Sequence, residues 1–533
     1  MLQSLTSQQK TAAVAILTLL AILIPLWPGF DAPGGAMDEG MLLVYPELIA
    51  HGKLPYRDFE TFYGPGNLWM LAGSYAVFGA QIGVERSVGL LYRLLLAGGV
   101  FFALRRWSLI AAATGAVLTV TFLIPTRLAA FAWLGGVACV LWSLLILAER
   151  PTPWRAFLGG LLGALGLLYR VDLGLAVLAS AAPLFLLLPA RERWLYLAGT
   201  AAGMIPLGVL ALLAGPQATL ENLFTYPVLI TNAGRRLPLS EASDSIYFLF
   251  FLHVGASLCN ILAGFLACRR ERNSRTARLF LALALLGIGL THQGMQRPDS
   301  VHVALTAFLS IALLPVGVLI LCQRGAVETF RSRWAALSAG VVMLVVFARS
   351  PEFLLLLARA TLLSLNIDAK PAPAVVVRDR HFPRPGLVAS AQQVASFIEA
   401  NSRPGERLFI GTGDLRRAFS NDAFFYHLLP WLTPASYFLE MNPLSANRPN
   451  SRLASDVASA DWLILNRAWD NPQEPNLSQW MGSDAPNEVV RAQFALQAEF
   501  GPFNIHRRRA AASETAKLSE LNSRDAGTSS RSP

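Results

Sequence analysis

The chain has 533 residues, of which 54% are hydrophobic and only 15% charged, against roughly 25% charged residues in a soluble globular chain. So few ionisable groups leave a water-facing surface uncoated, which excludes a soluble globular protein and requires lipid to solvate much of the molecule. The formal net charge of +10 comes from arginines in short clusters between apolar runs, the pattern of the positive-inside rule, and implies no nucleic-acid partner.

The first apolar run, 11–30, follows Lys10. Ala32 and Ala36 imitate a cleavage site, but cutting there would leave Asp38 almost at a free N-terminus, so the run is read as an uncleaved first helix. Next comes MDEGMLLVYPELIAHGKLPYRDFETFYGPG, Met37 to Gly66, within a first loop of 31–87. Asp38 before Gly40-Met41-Leu42-Leu43 predicts an N-cap for a helix running to about Ala50. Gly64-Pro65-Gly66 predicts a fixed turn. The apolar stretch Asn67 to Ala80 has only fourteen residues, a length that suits an interfacial or re-entrant segment better than a span.

Further spans are expected at 88–104, 107–124, 128–147, 156–170, 172–188, 194–214, 246–268, 278–292, 301–321 and 334–350, eleven in all. With 67–80 in the interface, the cytoplasmic loops between 105 and 333 hold fourteen arginines. The opposite loops from 125 to 300 hold five: Arg127, Arg170, Arg235, Arg236 and Arg297. Counting 67–80 as a span would invert that bias, so the N-terminus is placed in the cytoplasm. The odd number of spans puts the C-terminal part outside. Phe353 to Leu365 reads as an interfacial helix.

Pro371, Pro373, Pro383 and Pro385 predict a linker into an external soluble α/β domain at 366–510, after a transmembrane core at 1–365. In that domain Ala391–Ala400 has helical periodicity, while Arg407–Gly411, Asp461–Asn466 and Phe494–His506 read as strands. The tail at 511–533 has the composition of a disordered segment. The fold class expected is therefore a polytopic α-helical membrane protein of about eleven spans with a small C-terminal α/β domain. Cys139 and Cys259 fall inside apolar runs and Cys268 and Cys322 at the ends of two others, which supports neither a metal site nor a disulfide framework.

This topology gathers the unexplained polar clusters on one side. They are Asp38-Glu39, Tyr56-Arg57-Asp58, Tyr63 to Gly66, Tyr169 to Asp172, Arg235-Arg236, and QGMQRPDSVH at 293–302. Ionisable groups near membrane depth are costly unless they pair or line a cavity. Arg170 with Asp172, and Arg297 with Asp299, read equally as ion pairs that fix turns between helices. His302 alone would be a core histidine; with Gln296, Arg297 and Asp299 it makes a site. A carboxylate on that face suits a general base for an acceptor hydroxyl, and arginines beside it suit a phosphate leaving group.

These parts predict sugar transfer from a polyprenyl-phosphate donor outside the cytoplasm. No nucleotide fingerprint, Walker motif, HExxH or GxSxG argues for other chemistry. A flippase for a lipid-linked sugar would need mid-span charges and two similar halves with broken helices, and no such repeat is present. A non-catalytic envelope assembly protein would make Asp38 dispensable.

At these residues the chain resembles the membrane-embedded glycosyltransferases of the GT-C type, which include protein O-mannosyltransferases, aminoarabinose transferases and related bacterial lipopolysaccharide sugar transferases. MDEG (37–40) matches their acidic pair, and GKLPYRDF (52–59) with YGPG (63–66) is similar to the loop continuation. WMLAGSYAVFGAQIGVERSVGLLYR (69–93) is similar to their interfacial helix and second span. The likeness is close over about 10–110, architectural up to 365, and weak beyond.

The resemblance implies Asp38 as the base that deprotonates the acceptor and Glu39 as a residue that orients acceptor or donor. It assigns no role to Arg57, Asp58, Arg170, Asp172, Arg235, Arg236, Arg297, Asp299 or His302. Those residues, with Tyr56, Tyr63 and Gln296, form the candidate substrate-binding set, and charge and side alone nominate Arg235, Arg236 or Arg297 for the donor phosphate. The partners implied are a polyprenyl-phosphate-linked sugar, a lipid, glycan or protein acceptor, and the lipid of a bacterial inner membrane. Relatives with lipid-monophosphate donors need no metal, and no second acidic motif forms a metal cage, so neither metal nor cofactor is expected.

Overall fold

A helix occupies each of the eleven predicted spans in the computed structural model, which describes residues 6–322, 332–365, 372–384, 386–471 and 474–510. The expected disordered tail, Pro371, Pro385, Arg324 and Arg331 lie outside the described residues. Helix α1 (Ser7–Leu26) starts at a capping box in which Thr6 and Gln9 satisfy each other's backbone amides. The first loop holds α2 (Asp38–Ala50) and α3 (Pro65–Phe78). Then follow α4 (Ile82–Leu104), α5 (Leu109–Leu123), α6 (Ala132–Ala148), α7 (Pro153–Tyr169), α8 (Gly174–Phe185) and α9 (Ala190–Ala214). Helical turns at 216–235 begin with α10 (Pro216–Leu220) and end with α11 (Thr231–Arg235). The body closes with α12 (Asp244–Arg270), α13 (Arg275–Gly289), α14 (Thr291–Gln296), α15 (Ser300–Cys322), α16 (Ser332–Arg349) and α17 (Pro351–Leu365).

Among the described residues, seven helical segments are long and apolar enough to cross a bilayer; α16 and α17, bent by 98°, make an eighth if they count as one span. Helices α6, α7 and α8 have 17, 17 and 12 residues, short of the roughly 20 a full crossing needs. Length and composition thus support fewer full crossings than the eleven expected. Helix α3, with 14 residues, is not among the long apolar segments.

Small residues bring backbones together, as is usual where lipid supplies no hydrophobic drive. A Cβ on Gly160 of α7 would lie 2.0 Å from the Tyr196 carbonyl oxygen of α9, and one on Gly199 would lie 2.0 Å from that of Phe157. The YGPG turn is built the same way. Gly64 caps α3 ahead of Pro65, and a Cβ on Gly64 would meet the Leu168 carbonyl oxygen at 2.1 Å, so the turn seats directly on the end of α7.

The C-terminal unit begins with a hairpin, β1 (Ala374–Val377) and β2 (Arg380–Pro383). It continues through α18 (Val388–Asn401), β3 (Arg407–Thr412), α19 (Phe424–Leu428), β4 (Thr433–Pro434), α20 (Leu453–Ser459), β5 (Trp462–Asn466), α21 (Ala485–Gln493), β6 (Phe494–Phe500) and β7 (Phe503–Arg508). The five-stranded sheet has the order β4-β3-β5-β7-β6; β3 runs parallel to β4 and β5, and the β5–β7 and β7–β6 pairs are antiparallel. Every residue of β5 is buried, as a continuous apolar run at the centre of a sheet requires.

Two expectations are corrected here. The single strand expected over Phe494–His506 is a hairpin that turns at Gly501, whose φ of 59° suits glycine. The Pro-rich stretch is not simply a linker, because its described part forms the β1–β2 hairpin and the Pro383 carbonyl accepts from the Gly34 amide at 2.6 Å.

That contact belongs to a broad seam between the first loop and the C-terminal unit. The Phe424 amide donates to the Ala36 carbonyl at 3.2 Å. Glu47 accepts from Arg380 at 2.8 Å and lies 2.6 Å from His427 Nδ1. The Tyr437 hydroxyl donates to the Tyr56 carbonyl at 2.7 Å, and the Glu60 amide donates to the Tyr437 carbonyl at 2.8 Å. Gly40 lets the two parts approach, since a Cβ there would lie 2.5 Å from the Phe424 nitrogen.

Glu60, 1% exposed and hydrogen-bonded by Ser445, gives this seam a pH dependence. Burial raises its pKa from 4.5 to about 8, against the opposing effect of Ser445. Between those values the folded state binds more protons than the unfolded one, so stability falls as pH rises. The contribution is whole below pH 4.5 and is lost as pH rises through about 8. Melting temperatures from pH 5 to 9 should therefore decline less steeply in Glu60→Gln than in wild type. Parallel slopes would show that Glu60 is ionised throughout.

Candidate active site

The acidic pair divides at the start of α2. The helix begins at Asp38 rather than after it: Met37 holds the cap position and no side chain caps the helix. The Gly35 carbonyl already accepts from the Glu39 and Gly40 amides at 3.1 and 3.3 Å, so a side-chain cap is not needed. Both carboxylates stand in the first turn, where the helix dipole favours negative charge.

Glu39 is 2% exposed and takes two hydrogen bonds from Arg86 of α4, at 2.7 and 3.0 Å. Arg86 is fully buried and also donates to the Phe30 carbonyl at 2.6 Å. One guanidinium thus ties the end of the first helical segment, the start of α2 and the start of α4. Two further buried ionisable side chains of α4 hold the connection between α5 and α6. Glu85 accepts from the Ala130 amide at 2.5 Å; Arg93 donates to the Ala129 and Thr126 carbonyls, each at 3.1 Å, and to the Thr126 hydroxyl at 2.6 Å.

In front of this framework lies a polar cavity of about 500 Å³. Asp38, Glu39, Tyr63, Arg170, Arg235, Arg297, Asp299 and His302 line it, together with Arg127, Phe131, Trp133 and Gln293. The C-terminal unit closes it with Phe419, Ser420, Glu440 and Glu474.

The charges differ in how far they are committed. Asp38 is exposed, and its carboxylate has no hydrogen-bond or ion-pair partner among the described residues; the same holds for the guanidinium of Arg127, whose backbone has a φ of 51°. Arg170 is bound twice by Asp172, at 2.8 and 2.5 Å, and lies 5.5 Å from the centre of the Tyr63 ring. Asp172 also accepts from Gln293 at 2.7 Å and lies 3.1 Å from His292. Arg297 is bound twice by Glu474, at 2.6 and 3.1 Å, and donates to the Arg235 carbonyl at 3.0 Å.

Asp299 lies 3.4 Å from Arg297 and accepts from the amides of Val301 and His302 at 3.0 and 2.9 Å, holding the start of α15. Burial pushes the Asp299 pKa up, but the His302 ring, 2.9 Å away, keeps it below the usual carboxylate range. Arg235 donates to the Phe419 carbonyl at 3.2 Å and stands 3.9 Å from Glu440. The Glu440 charge, and then burial, push the Tyr63 phenol up. Among the described residues no group of three or more His, Cys, Asp or Glu converges as metal ligands.

The other sequence candidates stand elsewhere. Tyr56 is buried against Leu210, Ala214 and Leu223, and its hydroxyl donates to the Tyr63 carbonyl at 2.9 Å. Arg57 and Asp58 pair at 2.9 Å on the surface, with Asp58 accepting from the Leu54 amide at 2.8 Å to fix the turn. Asp172 acts on the cavity only through Arg170 and Gln293. The Gln296 carbonyl accepts from the Leu237 amide at 3.1 Å, and its side chain is not part of the lining. Arg236 borders a separate, mostly apolar cavity of about 780 Å³ with Leu237, Met295 and Leu477.

Sequence reasoning missed Arg127, Glu440, Glu474 and the anchoring Arg86, and it left Gln293, the first residue of the 293–302 cluster, out of the candidate binding set. Arg127 was counted only for topology, although a lone arginine in a connection of three residues between two expected spans is itself a signal. A groove of about 850 Å³, walled by Trp27, Ile124, Leu356 and Leu363, meets the polar cavity at Pro125, Arg127 and Val301.

No family model matches the sequence, and no curated protein does. The solved structures that share the architecture include two of ArnT. ArnT from Cupriavidus metallidurans bound to undecaprenyl phosphate superposes with a TM-score of 0.54 at 13% identity, over 95% of this chain and 99% of that one. ArnT in the apo state gives 0.52 at 14%, over 93% and 97%. Such coverage includes the C-terminal unit, where the sequence showed little likeness. Identity this low speaks for the fold and not for the roles of residues. The chain is a polytopic membrane protein with the GT-C-type glycosyltransferase fold.

Proposed function

We propose that the protein transfers a sugar from a polyprenyl-phosphate donor to an acceptor hydroxyl on the outer face of a bacterial inner membrane, with Asp38 as general base. The observation that carries this reading is the contrast within the acidic pair. Glu39 is buried and doubly bonded to Arg86, whereas Asp38 is exposed on the cavity with no partner among the described residues. A base has to be free to accept a proton at a rigidly held position, and Asp38 meets both conditions.

Asp38 removes the acceptor proton as the acceptor oxygen bonds to the anomeric carbon. The bond from that carbon to the phosphate oxygen breaks, and polyprenyl phosphate leaves with the electron pair. Guanidinium groups neutralise the charge that develops on it. Arg127, uncommitted, is the first candidate for this task, with Arg235 beside it in the cavity lining. Arg170 and Arg297 already hold carboxylates through two bonds each. Arg236 borders the other cavity and leaves the set.

The groove that meets the cavity at Arg127, with Trp27, Ile124, Leu356 and Leu363 in its wall beside Asp31 and Arg359, is the place for the isoprenoid tail, and the ArnT structure bound to undecaprenyl phosphate supports a carrier of that class. The arginine distribution supports the outward orientation.

The test is donor consumption by purified protein in proteoliposomes. The donors are undecaprenyl phosphates carrying different monosaccharides, with a bacterial envelope extract as the acceptor source. Conversion of a donor to undecaprenyl phosphate, with label in the extract, is expected. Transbilayer movement of the donors without consumption would show a flippase instead.

A further inference from the structure

Glu440 is an ordinary residue of the C-terminal unit by sequence, in the loop between β4 and α20. In the structure it lines the polar cavity together with Asp38, Tyr63, Arg170 and Arg235. It is 5% exposed, and its Oε2 has no hydrogen-bond partner among the described residues. Its Oε1 is 3.9 Å from the Arg235 guanidinium, too far for a hydrogen bond. Asn442 Nδ2 donates to the main-chain carbonyl of Glu440, at 3.3 Å. One oxygen of this buried carboxylate is left without a donor among the described residues, and a buried acceptor short of hydrogen bonds favours a ligand that brings donors.

The cavity shows what those donors belong to. Phe131, Trp133 and Tyr63 supply apolar faces for a sugar ring, and Asp38 faces the same space. Burial, and then the Asp38 charge, raise the pKa of Glu440, while Arg235, the Asn442 side chain and Arg170 favour its charged form. Sugar hydroxyls donate to a carboxylate oxygen left without a donor, and the nearby Arg235 and Arg170 favour the ionised form, to which such hydrogen bonds are short and strong. A ligand carboxylate beside Glu440 and Asp38 would be repelled.

We infer that Glu440 binds hydroxyl groups of the transferred sugar and selects a neutral sugar against a uronic acid. The inference rests on the proposed transfer reaction and deepens it. It makes the C-terminal unit part of the donor site: Asp38 acts on the acceptor, Arg127 and Arg235 on the phosphate, and Glu440 on the sugar between them.

Binding without turnover tests this separately from the reaction. Undecaprenyl phosphate, its glucose, mannose and galactose derivatives, and its glucuronic acid derivative are titrated against wild type and Glu440→Gln in nanodiscs, with melting temperature as the check on folding. Wild type should bind at least one neutral derivative more tightly than the bare lipid and than the glucuronic acid form. Glu440→Gln should weaken that neutral derivative by about tenfold or more, leave the bare lipid within about twofold, and narrow the discrimination against glucuronic acid. Equal losses for bare and sugar-bearing lipid would assign Glu440 a structural part through Arg235 and overturn the inference, as would no loss or a wild-type preference for glucuronic acid. Failure of wild type to bind any of these lipids would overturn the transfer reading itself.

Discussion

Asp38→Asn should lower the turnover of sugar transfer by about 100- to 10,000-fold while leaving donor affinity and melting temperature close to wild type. The substitution keeps the shape of the side chain and removes only its capacity to take a proton. Little else is expected to change, because the carboxylate is exposed and has no partner among the described residues. The amides at the start of α2 are satisfied by the Gly35 carbonyl, and Glu39 remains in the first turn to meet the helix dipole. Steady-state transfer in nanodiscs, with donor titration and thermal unfolding on the same samples, separates the terms. A folded variant that transfers at the wild-type rate would remove Asp38 from the chemistry.

Arg86→Met should cost about 3–5 kcal/mol of stability, the penalty for leaving one member of a buried ion pair alone. The guanidinium is fully buried and gives two bonds to Glu39 and one to the Phe30 carbonyl. Without it, a carboxylate that is 2% exposed has to take a proton or draw in water. Transfer should fall as well, since Arg86 pins the turn of α2 on which Asp38 stands. Replacing both partners, Arg86→Met with Glu39→Gln, should recover much of the stability, because no charge is then left buried and unpaired. Thermal unfolding in detergent checks this. A loss below about 1 kcal/mol for the single variant would mean that water reaches the pair.

Much of the cavity lining could be read from the sequence because charge is scarce in this chain. Where only 15% of residues are charged, each ionisable group in an apolar setting needs a physical reason, and clusters of them stand out. Asp38, Tyr63, Arg170, Arg235, Arg297, Asp299 and His302 were selected in this way, and all line one cavity. Length, together with the distribution of arginines, set α3 apart from the expected spans. The C-terminal contribution had no such signal. Glu440 and Glu474 lie some 400 residues from Asp38 in a segment of ordinary soluble composition, and only the tertiary seam through Glu47, Glu60 and Gly40 brings them to it.

The charges of α4 are an intermediate case. Glu85, Arg86 and Arg93 were within view as part of a family likeness, and the seven-residue spacing from Arg86 to Arg93 keeps the two arginines near one helix face. Their burial inside the protein was the step that pattern did not supply. Arg57 and Asp58 err in the other direction, because a conspicuous ion pair in a charged loop turned out to close a surface turn. The Phe494–His506 hairpin was marked by Gly501-Pro502, a turn signal inside an otherwise strand-like run.

In the proposed reaction the donor's phosphate sits in the polar cavity beside Asp38, with its isoprenoid tail in the groove that meets the cavity at Arg127. The most direct measurement is an electron cryomicroscopy structure of the Asp38→Asn protein in nanodiscs with undecaprenyl phosphate. Phosphate density is expected in contact with Arg127 and within the cavity lined by residue 38 and Arg235, continuous with tail density between α1 and α17. A phosphate seated in the cavity beside Arg236, or anywhere outside the polar cavity, would contradict it.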